Sequence, residues 1–341
     1  MRAIEYSENG TADVLKLVHR DPAAPGPNEV RVRIRVSGIN PTDWKSRQGS
    51  VQATTLAVPQ VPGQDGAGVV DAVGASVTDL AVGDRVWVWD AAYQRSEGTT
   101  QEFAVVPAKQ AVRLPDHVSF DVGASLGIPA LTAHRALTAR EGGPARLEPG
   151  ALDGTVVLVA GGAGAVGHAA IQLAVWAGAT VITTVSSDEK ADLASAAGAH
   201  HVINYRTAEV ATSIHDLTPD GVDVVVEVNA LANLGLDLEV LAQGGTISLY
   251  AASGTDQPVV PIRAAMGKNA RLQFIMTYTT TEEQKRDAVV AVAAAARDGA
   301  LGVGVEHGLP LLRFPLEQAA DAHRAVENDF VGKVLVDVAD R

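Results

Sequence analysis

The chain has 341 residues, 47% of them hydrophobic and only 4% aromatic, with a net charge of −13 and no cysteine. That charge argues against nucleic acid or an anionic membrane as a partner, since no basic run offsets it locally. The missing cysteines exclude disulfides, thiolate catalysis and Cys-ligated zinc, so any redox chemistry must come from a bound cofactor, and small molecules are the expected partners.

The length exceeds one typical core, so two domains are expected. No apolar run approaches 18 residues without polar interruption, and Met1-Arg2-Ala3-Ile4-Glu5-Tyr6 opens as a strand rather than a signal peptide; a soluble, cytoplasmic protein is the expectation. Residues 1 to about 125 read as a β-rich unit, with strands at Ala3 to Tyr6, Glu29 to Ser37, Gly68 to Val73 and Asp84 to Trp89 separated by Pro, Gly and Asp turns. Two blocks interrupt it, Gly38-Ile39-Asn40-Pro41-Thr42-Asp43 and Gly63-Gln64-Asp65-Gly66-Ala67-Gly68, and read as loops that carry polar function. Helical spacing begins at Ser119 and places Leu126 to Leu137 on one apolar face.

Thr155 to Thr184, TVVLVAGGAGAVGHAAIQLAVWAGATVITT, reads as strand, glycine turn, helix and second strand. Gly161 and Gly162 open the turn, and Gly162, Gly164 and Gly167 satisfy G-x-G-x-x-G. The first glycine is expected to permit the tight turn, the second to admit a pyrophosphate, the third to let helix pack on strand. The free N–H groups at the start of the helix would hold a diphosphate. The second strand then ends Val185-Ser186-Ser187, where an NAD site normally presents a carboxylate to the ribose 2′-hydroxyl. Small hydroxyls with Lys190 one turn later favour a 2′-phosphate, hence NADPH. The competing reading makes Ser187 a helix cap and Lys190 a solvated surface lysine.

Beyond the fingerprint the alternation continues: helix Asp188 to Ala197, strand His201 to Asn204, strand Val222 to Val228, helix Leu231 to Leu241, then strands Thr246 to Tyr250 and Leu272 to Met276. The pattern is that of a doubly wound parallel sheet. After an amphipathic helix Glu282 to Arg297, Pro315 to Val326 reads as helix and Gly332 to Val336 as a closing strand in the style of the first unit. The expected organisation is α/β: a discontinuous domain, 1–125 with 310–341, around a nucleotide-binding domain, 126–309.

Six ordered blocks now carry a resemblance: GINPTDWKSRQG at Gly38 to Gly49, PGQDGAGVV at Pro62 to Val70, GDRVW at Gly83 to Trp87, LGIPALTAHRAL at Leu126 to Leu137, the glycine turn, and GKVLV at Gly332 to Val336. The chain resembles the medium-chain dehydrogenase/reductase superfamily, in its zinc-free quinone oxidoreductase branch related to zeta-crystallin. The resemblance implies a GroES-like domain beside a Rossmann domain, and NADPH-dependent reduction of a quinone or enone without metal. Zinc-dependent relatives carry a Cys where this chain has Asn40 and a His where it has Gln64. The resemblance further puts Asn40, Pro41 and Thr132 near the nicotinamide, Gly164 to Val166 at the pyrophosphate, and Ser186, Lys190 and Tyr205 at the 2′-phosphate. Asn229, Tyr250, Ala251 and Met276 fall on the nicotinamide-ribose side. Lys333 either approaches the cofactor or is solvated.

Relatives commonly have a tyrosine where this chain has Lys45, so Asn40, Thr132 and Lys45 are the candidate donors to the acceptor oxygen, with a solvent-facing Lys45 as the competing reading. Trp89 and Tyr93 either line a cleft or pack a hairpin. A 2-enoyl-thioester reductase is the nearest alternative activity. A weakly catalytic NADPH-binding structural or sensor protein is the alternative of another class. A homodimer joined at the edge of the nucleotide domain is expected, since its last strands would otherwise expose an apolar edge.

Overall fold

The structure is a computed structural model; it describes residues 1–49, 55–252 and 257–339. The chain divides into two compact units, Met1–Ile128 with Pro310–Arg341, and Pro129–Leu309.

The first unit begins with β1 (Arg2–Glu8), β2 (Lys16–His19) and β3 (Glu29–Ile39), followed by α1 (Pro41–Gln48), β4 (Thr55–Gln60), β5 (Asp65–Val73), β6 (Arg85–Val88), β7 (Phe103–Pro107) and β8 (Ala111–Arg113). Strand β3 is its axis and pairs antiparallel with both β5 and β7. The sequence EVRVRIRV explains why: Val30, Val32, Ile34 and Val36 are buried, while Arg31 points outward to Asp71 and Arg33 lies over the Phe103 ring at 5.1 Å. Strands β1, β2 and β4 form a separate small sheet.

The block expected as a loop at Asn40 to Asp43 is the start of helix α1. Asn40 is its N-cap, Pro41 its first residue, and the Asp43 carboxylate accepts the Asn40 backbone N–H at 2.7 Å; Gly49, at φ 70°, ends it. The octet PTDWKSRQ has one large apolar residue, so periodicity missed a helix that its capping residues mark.

Helix α2 (Phe120–Leu137) contains the division between the units. The second unit holds β9 (Val156–Ala160), α3 (Ala165–Trp176), β10 (Thr180–Val185), α4 (Asp188–Ala196), β11 (His201–Asn204), α5 (Val210–Leu217), β12 (Val222–Glu227), α6 (Ala230–Val240), β13 (Leu241–Leu249), α7 (Ile262–Lys268), β14 (Arg271–Phe274) and α8 (Glu282–Arg297). Its six parallel strands run β11-β10-β9-β12-β13-β14. The order is the doubly wound one, reversing between β9 and β12, and the crevice at the carboxyl ends of those two strands is where such sheets bind nucleotides. Leu158, Ile182, Val225 and Ile247 fill the core beneath it. No helix among the described residues is long and apolar enough to cross a membrane.

The chain then returns through β15 (Leu311–Pro315), α9 (Ala319–Glu327) and β16 (Lys333–Asp337). Pro315 closes a strand rather than opening the expected helix, which starts at Ala319. Strand β16 lies between β15 and β3, flanked on both sides, so Lys333 enters the interior of the first unit.

Candidate functional site

In the second unit the glycines divide their work differently from the expectation. The left-handed residue of the turn is Gly161, at φ 72°, rather than Gly162. Gly162 is small because a Cβ there would run into the Thr183 hydroxyl and Ile171 Cδ1; Gly167 because a Cβ would meet the Gly161 carbonyl. Among the described residues, an added Cβ at Gly164 would meet only Gly161 O, at 3.5 Å. Gly164 is exposed and is the N-cap of α3 without a side chain to cap it, so the first N–H groups of the helix, those of Ala165 and Val166, lie beside an open face. That face fits a dinucleotide diphosphate.

At the end of β10 the Lys190 ammonium donates to Ser186 Oγ at 3.0 Å, and Ser187 Oγ accepts the Lys190 backbone N–H at 3.3 Å. Ser187 thus caps α4, and Lys190 turns its ammonium toward the end of the strand. Tyr205 is 51% exposed, its backbone N–H bonded to Val185 O at 3.0 Å.

At the end of β12, Asn229 is exposed and begins α6, its backbone N–H bonded to the buried Glu227 carboxylate, which also receives Asn233 Nδ2 at 3.1 Å. Burial and the Glu227 charge push Asp237 up to about 9, so this pair holds a proton and braces the loop. Tyr250 and Ala251 are half-buried, and the Tyr250 phenol is raised by burial and by Glu227. Met276 is 60% exposed. The Thr132 hydroxyl is buried and shares a 2.6 Å hydrogen bond with Thr277, a partner that sequence did not indicate.

The first unit contains a buried polar cluster that sequence reasoning saw only in part. Lys333, 1% exposed, donates to Asn40 Oδ1 at 2.6 Å and stands 3.9 Å from Asp65 Oδ2, which excludes the solvated reading. Asn40 Nδ2 donates to Asp65 at 2.8 Å and to Gly38 O at 3.4 Å. Its amide nitrogen is thus turned into the cluster, toward Asp65 and the Gly38 carbonyl. Asp65 takes the Ile128 N–H on both oxygens at 2.9 Å, an approach possible because Gly127 has no Cβ to meet that carboxylate. Asp43 accepts the Gln64 N–H at 3.0 Å.

Burial raises Asp43 to about 6 against those hydrogen bonds, and raises Asp65 to about 7, with Lys333 opposing and Asp43 reinforcing the rise. The same burial lowers Lys333, which the two carboxylates hold up. The signal available in sequence was an acid opening the apolar strand DGAGVV and a lysine opening KVLV; their pairing across 268 positions was not.

Beside this cluster the first unit has a cavity of about 370 Å³, lined among others by Tyr6, Asp43, Ser46, Gln60, Gln64 and Arg95. Asp43 and Ser46 face it from α1, one helical turn apart. Lys45 falls between them on the helix, is exposed, and holds its ammonium 5.7 Å from the Trp44 ring, which removes it from the cavity wall. Pro41 is exposed at the start of α1, Trp89 is buried and Tyr93 half-buried.

Sequence profiles identify an Alcohol dehydrogenase GroES-like domain at residues 26–116 and a Zinc-binding dehydrogenase domain at 165–294. Quinone oxidoreductase from Rattus norvegicus is 33% identical over 347 residues, covering 98% of this chain and 97% of that protein. 2-Haloacrylate reductase from a Burkholderia species is 31% identical over 306 residues, covering 88% of each. Among solved structures, Escherichia coli quinone oxidoreductase complexed with NADPH matches at TM-score 0.79 and 27% identity, over 98% of this chain and 99% of that one.

The zinc implied by the second profile does not fit the donors present. An ammonium occupies the Asn40 oxygen, Gln64 is an amide, and among the described residues no group of three or more His, Asp or Glu could hold a metal ion. With both domain profiles matched and 33% identity across nearly the full length, the chain belongs to the medium-chain dehydrogenase/reductase family, in its quinone oxidoreductase branch.

Proposed function

We propose that this protein is an NADPH-dependent, metal-free oxidoreductase that reduces a quinone or an activated alkene. The observation that carries the cofactor choice is the end of β10, where Ser186 and the Lys190 ammonium stand 3.0 Å apart in the place of the carboxylate an NAD site would use. Gly164 and the uncapped start of α3 would hold the diphosphate, with Ser186, Lys190 and Tyr205 at the 2′-phosphate and Asn229, Tyr250, Ala251 and Met276 on the nicotinamide-ribose side. Bound there, the cofactor supplies a hydride. The E. coli quinone oxidoreductase complexed with NADPH supports the same choice.

The acceptor is assigned to the cavity of the first unit, whose size suits one substituted ring or a short enone. The rat quinone oxidoreductase favours a quinone; the Burkholderia 2-haloacrylate reductase favours an electron-poor alkene. A 2-enoyl thioester is the second acceptor class, and its bulk beyond the reacting carbons would have to lie outside a cavity of this volume. Metal is assigned no part, because the Lys333 amine already occupies the Asn40 oxygen.

The proposed state is a homodimer joined at β14. This strand is an open edge of the six-stranded sheet, and Phe274 is 71% exposed on it, with Met266 at 70% and Ile262 at 64% on the adjacent α7. The inner strand β13 is already covered by β14, so the edge is one strand narrower than expected from sequence.

NADPH oxidation in the presence of quinones, enones and 2-enoyl thioesters tests the assignment. Turnover with the first two classes supports it; turnover confined to thioesters moves it to the alternative. Tight NADPH binding with no turnover on any of them would leave a structural or sensor protein.

A further inference from the structure

One polar group on the cavity wall has no role in the cluster beneath it. Tyr6 sits on β1, only 8% exposed, directly across from Gln60 of β4, and both side chains line the cavity with Asp43 and Gln64. A phenol buried to this degree normally finds a hydrogen-bond partner. Neither Asp43 oxygen needs it, since Asn40 N–H and Gln64 N–H already occupy them at 2.7 and 3.0 Å. No hydrogen bond to the Tyr6 hydroxyl is found among the described residues, and it is not one of the buried polar atoms sealed away from solvent. The hydroxyl is left facing the cavity.

We propose that the Tyr6 hydroxyl meets the acceptor oxygen in this cavity and gives it the proton that completes reduction; the inference rests on the proposed function above. A quinone that has taken up a hydride carries an electron pair on its remaining carbonyl oxygen. The Tyr6 O–H bond breaks, its proton forms a new O–H bond to that oxygen, and the pair stays on Tyr6 as phenolate. Solvent entering the open cavity returns a proton to Tyr6, so each turnover consumes one hydride and one proton. The surroundings bear on both states of the phenol: burial and the Asp43 carboxylate favour the neutral donor, and the Arg47 guanidinium favours the phenolate left behind. Arg47 is 1% exposed and paired with Glu327, a fixed charge rather than a mobile one.

Tyr6→Phe keeps the ring and the strand pairing and removes only the hydroxyl. With 1,4-benzoquinone as acceptor, turnover should fall by about 10²-fold, the usual effect of losing a general acid. NADPH affinity, read from its fluorescence, should be unchanged. Binding of 1,4-hydroquinone, measured by calorimetry, should weaken about tenfold, as for one lost hydrogen bond to a ligand. Turnover within twofold of the unmodified protein overturns the proposal. Should the unmodified protein fail to oxidise NADPH with any acceptor, the functional reading is what has failed, and the calorimetric comparison alone decides: weaker hydroquinone binding by Tyr6→Phe sustains the contact, while equal binding, or no binding to either protein, overturns it.

Discussion

The turn after β9 and the cluster beneath the cavity are two ways of making a polar site, and they differ in what supplies the polarity. The turn uses backbone. Its donors are N–H groups at the start of α3, and its glycines work by being small, so the whole device lies in seven consecutive residues. The cluster uses buried side chains from three distant segments, Asn40 and Asp43, Asp65, and Lys333, and takes only the backbone N–H groups of Gln64 and Ile128 to complete it. A backbone site tolerates change wherever a new side chain has room. A buried charged site has to be complete, because removing one partner leaves the others desolvated.

The largest expected effect breaks the cluster. Lys333→Met should cost about 3–5 kcal/mol at pH 8 in urea unfolding, because two carboxylates are then buried without a cation. The loss should shrink toward pH 5, where Asp65 and Asp43 take up protons, and Lys333→Met with Asp65→Asn should recover part of it. A pH-independent loss would mean that Lys333 packs rather than pairs.

Next in size is the pH dependence of the intact protein. Asp43 is raised from the ordinary carboxylate value to about 6, so the folded state keeps a proton that the unfolded chain has already released. Its contribution to stability is full below about pH 4 and is lost as pH rises through 6, by up to about 3 kcal/mol. Urea midpoints from pH 4 to 7 should show this fall, to which the raised Asp65 adds, and Asp43→Asn should make it shallower.

The turn sharpens the contrast. Gly162→Ala should destabilise by about 1–3 kcal/mol through collision with Thr183 and Ile171, with little to do with ligand. Gly164→Ala should leave stability within about 0.5 kcal/mol and instead weaken NADPH binding, measured by fluorescence titration. Equal effects of the two substitutions on stability would contradict the open face at Gly164. The smallest effect belongs to Lys45→Met, which should leave turnover unchanged, its ammonium being exposed over Trp44.

The same contrast explains what could be read from sequence. The strands VVLVA, TVITTV and VDVVVE are short, β-branched and buried on both faces, so composition marks them, and the glycine turn is local. Local spacing still misplaced the work among the glycines, since it does not distinguish a positive φ at Gly161 from a close approach at Gly162. In the first unit the short strands KLVH, TLAVPQ and FAVVP escaped a reading based on longer alternating runs, and α1 escaped because one hydrophobic residue in eight gives no periodicity. Lys333 was ambiguous because its partners lie 268 and 293 positions away, and a lysine's burial depends on them.

The measurement that bears most directly on the proposed activity is the ratio of kcat/KM for NADPH to that for NADH, with 1,4-benzoquinone as acceptor, before and after dialysis against a chelator. NADPH should be preferred at least tenfold, a preference carried by Lys190 and therefore abolished in Lys190→Ala, with no change on chelation. Equal use of the two cofactors, or turnover lost with the metal and restored by zinc, would contradict it.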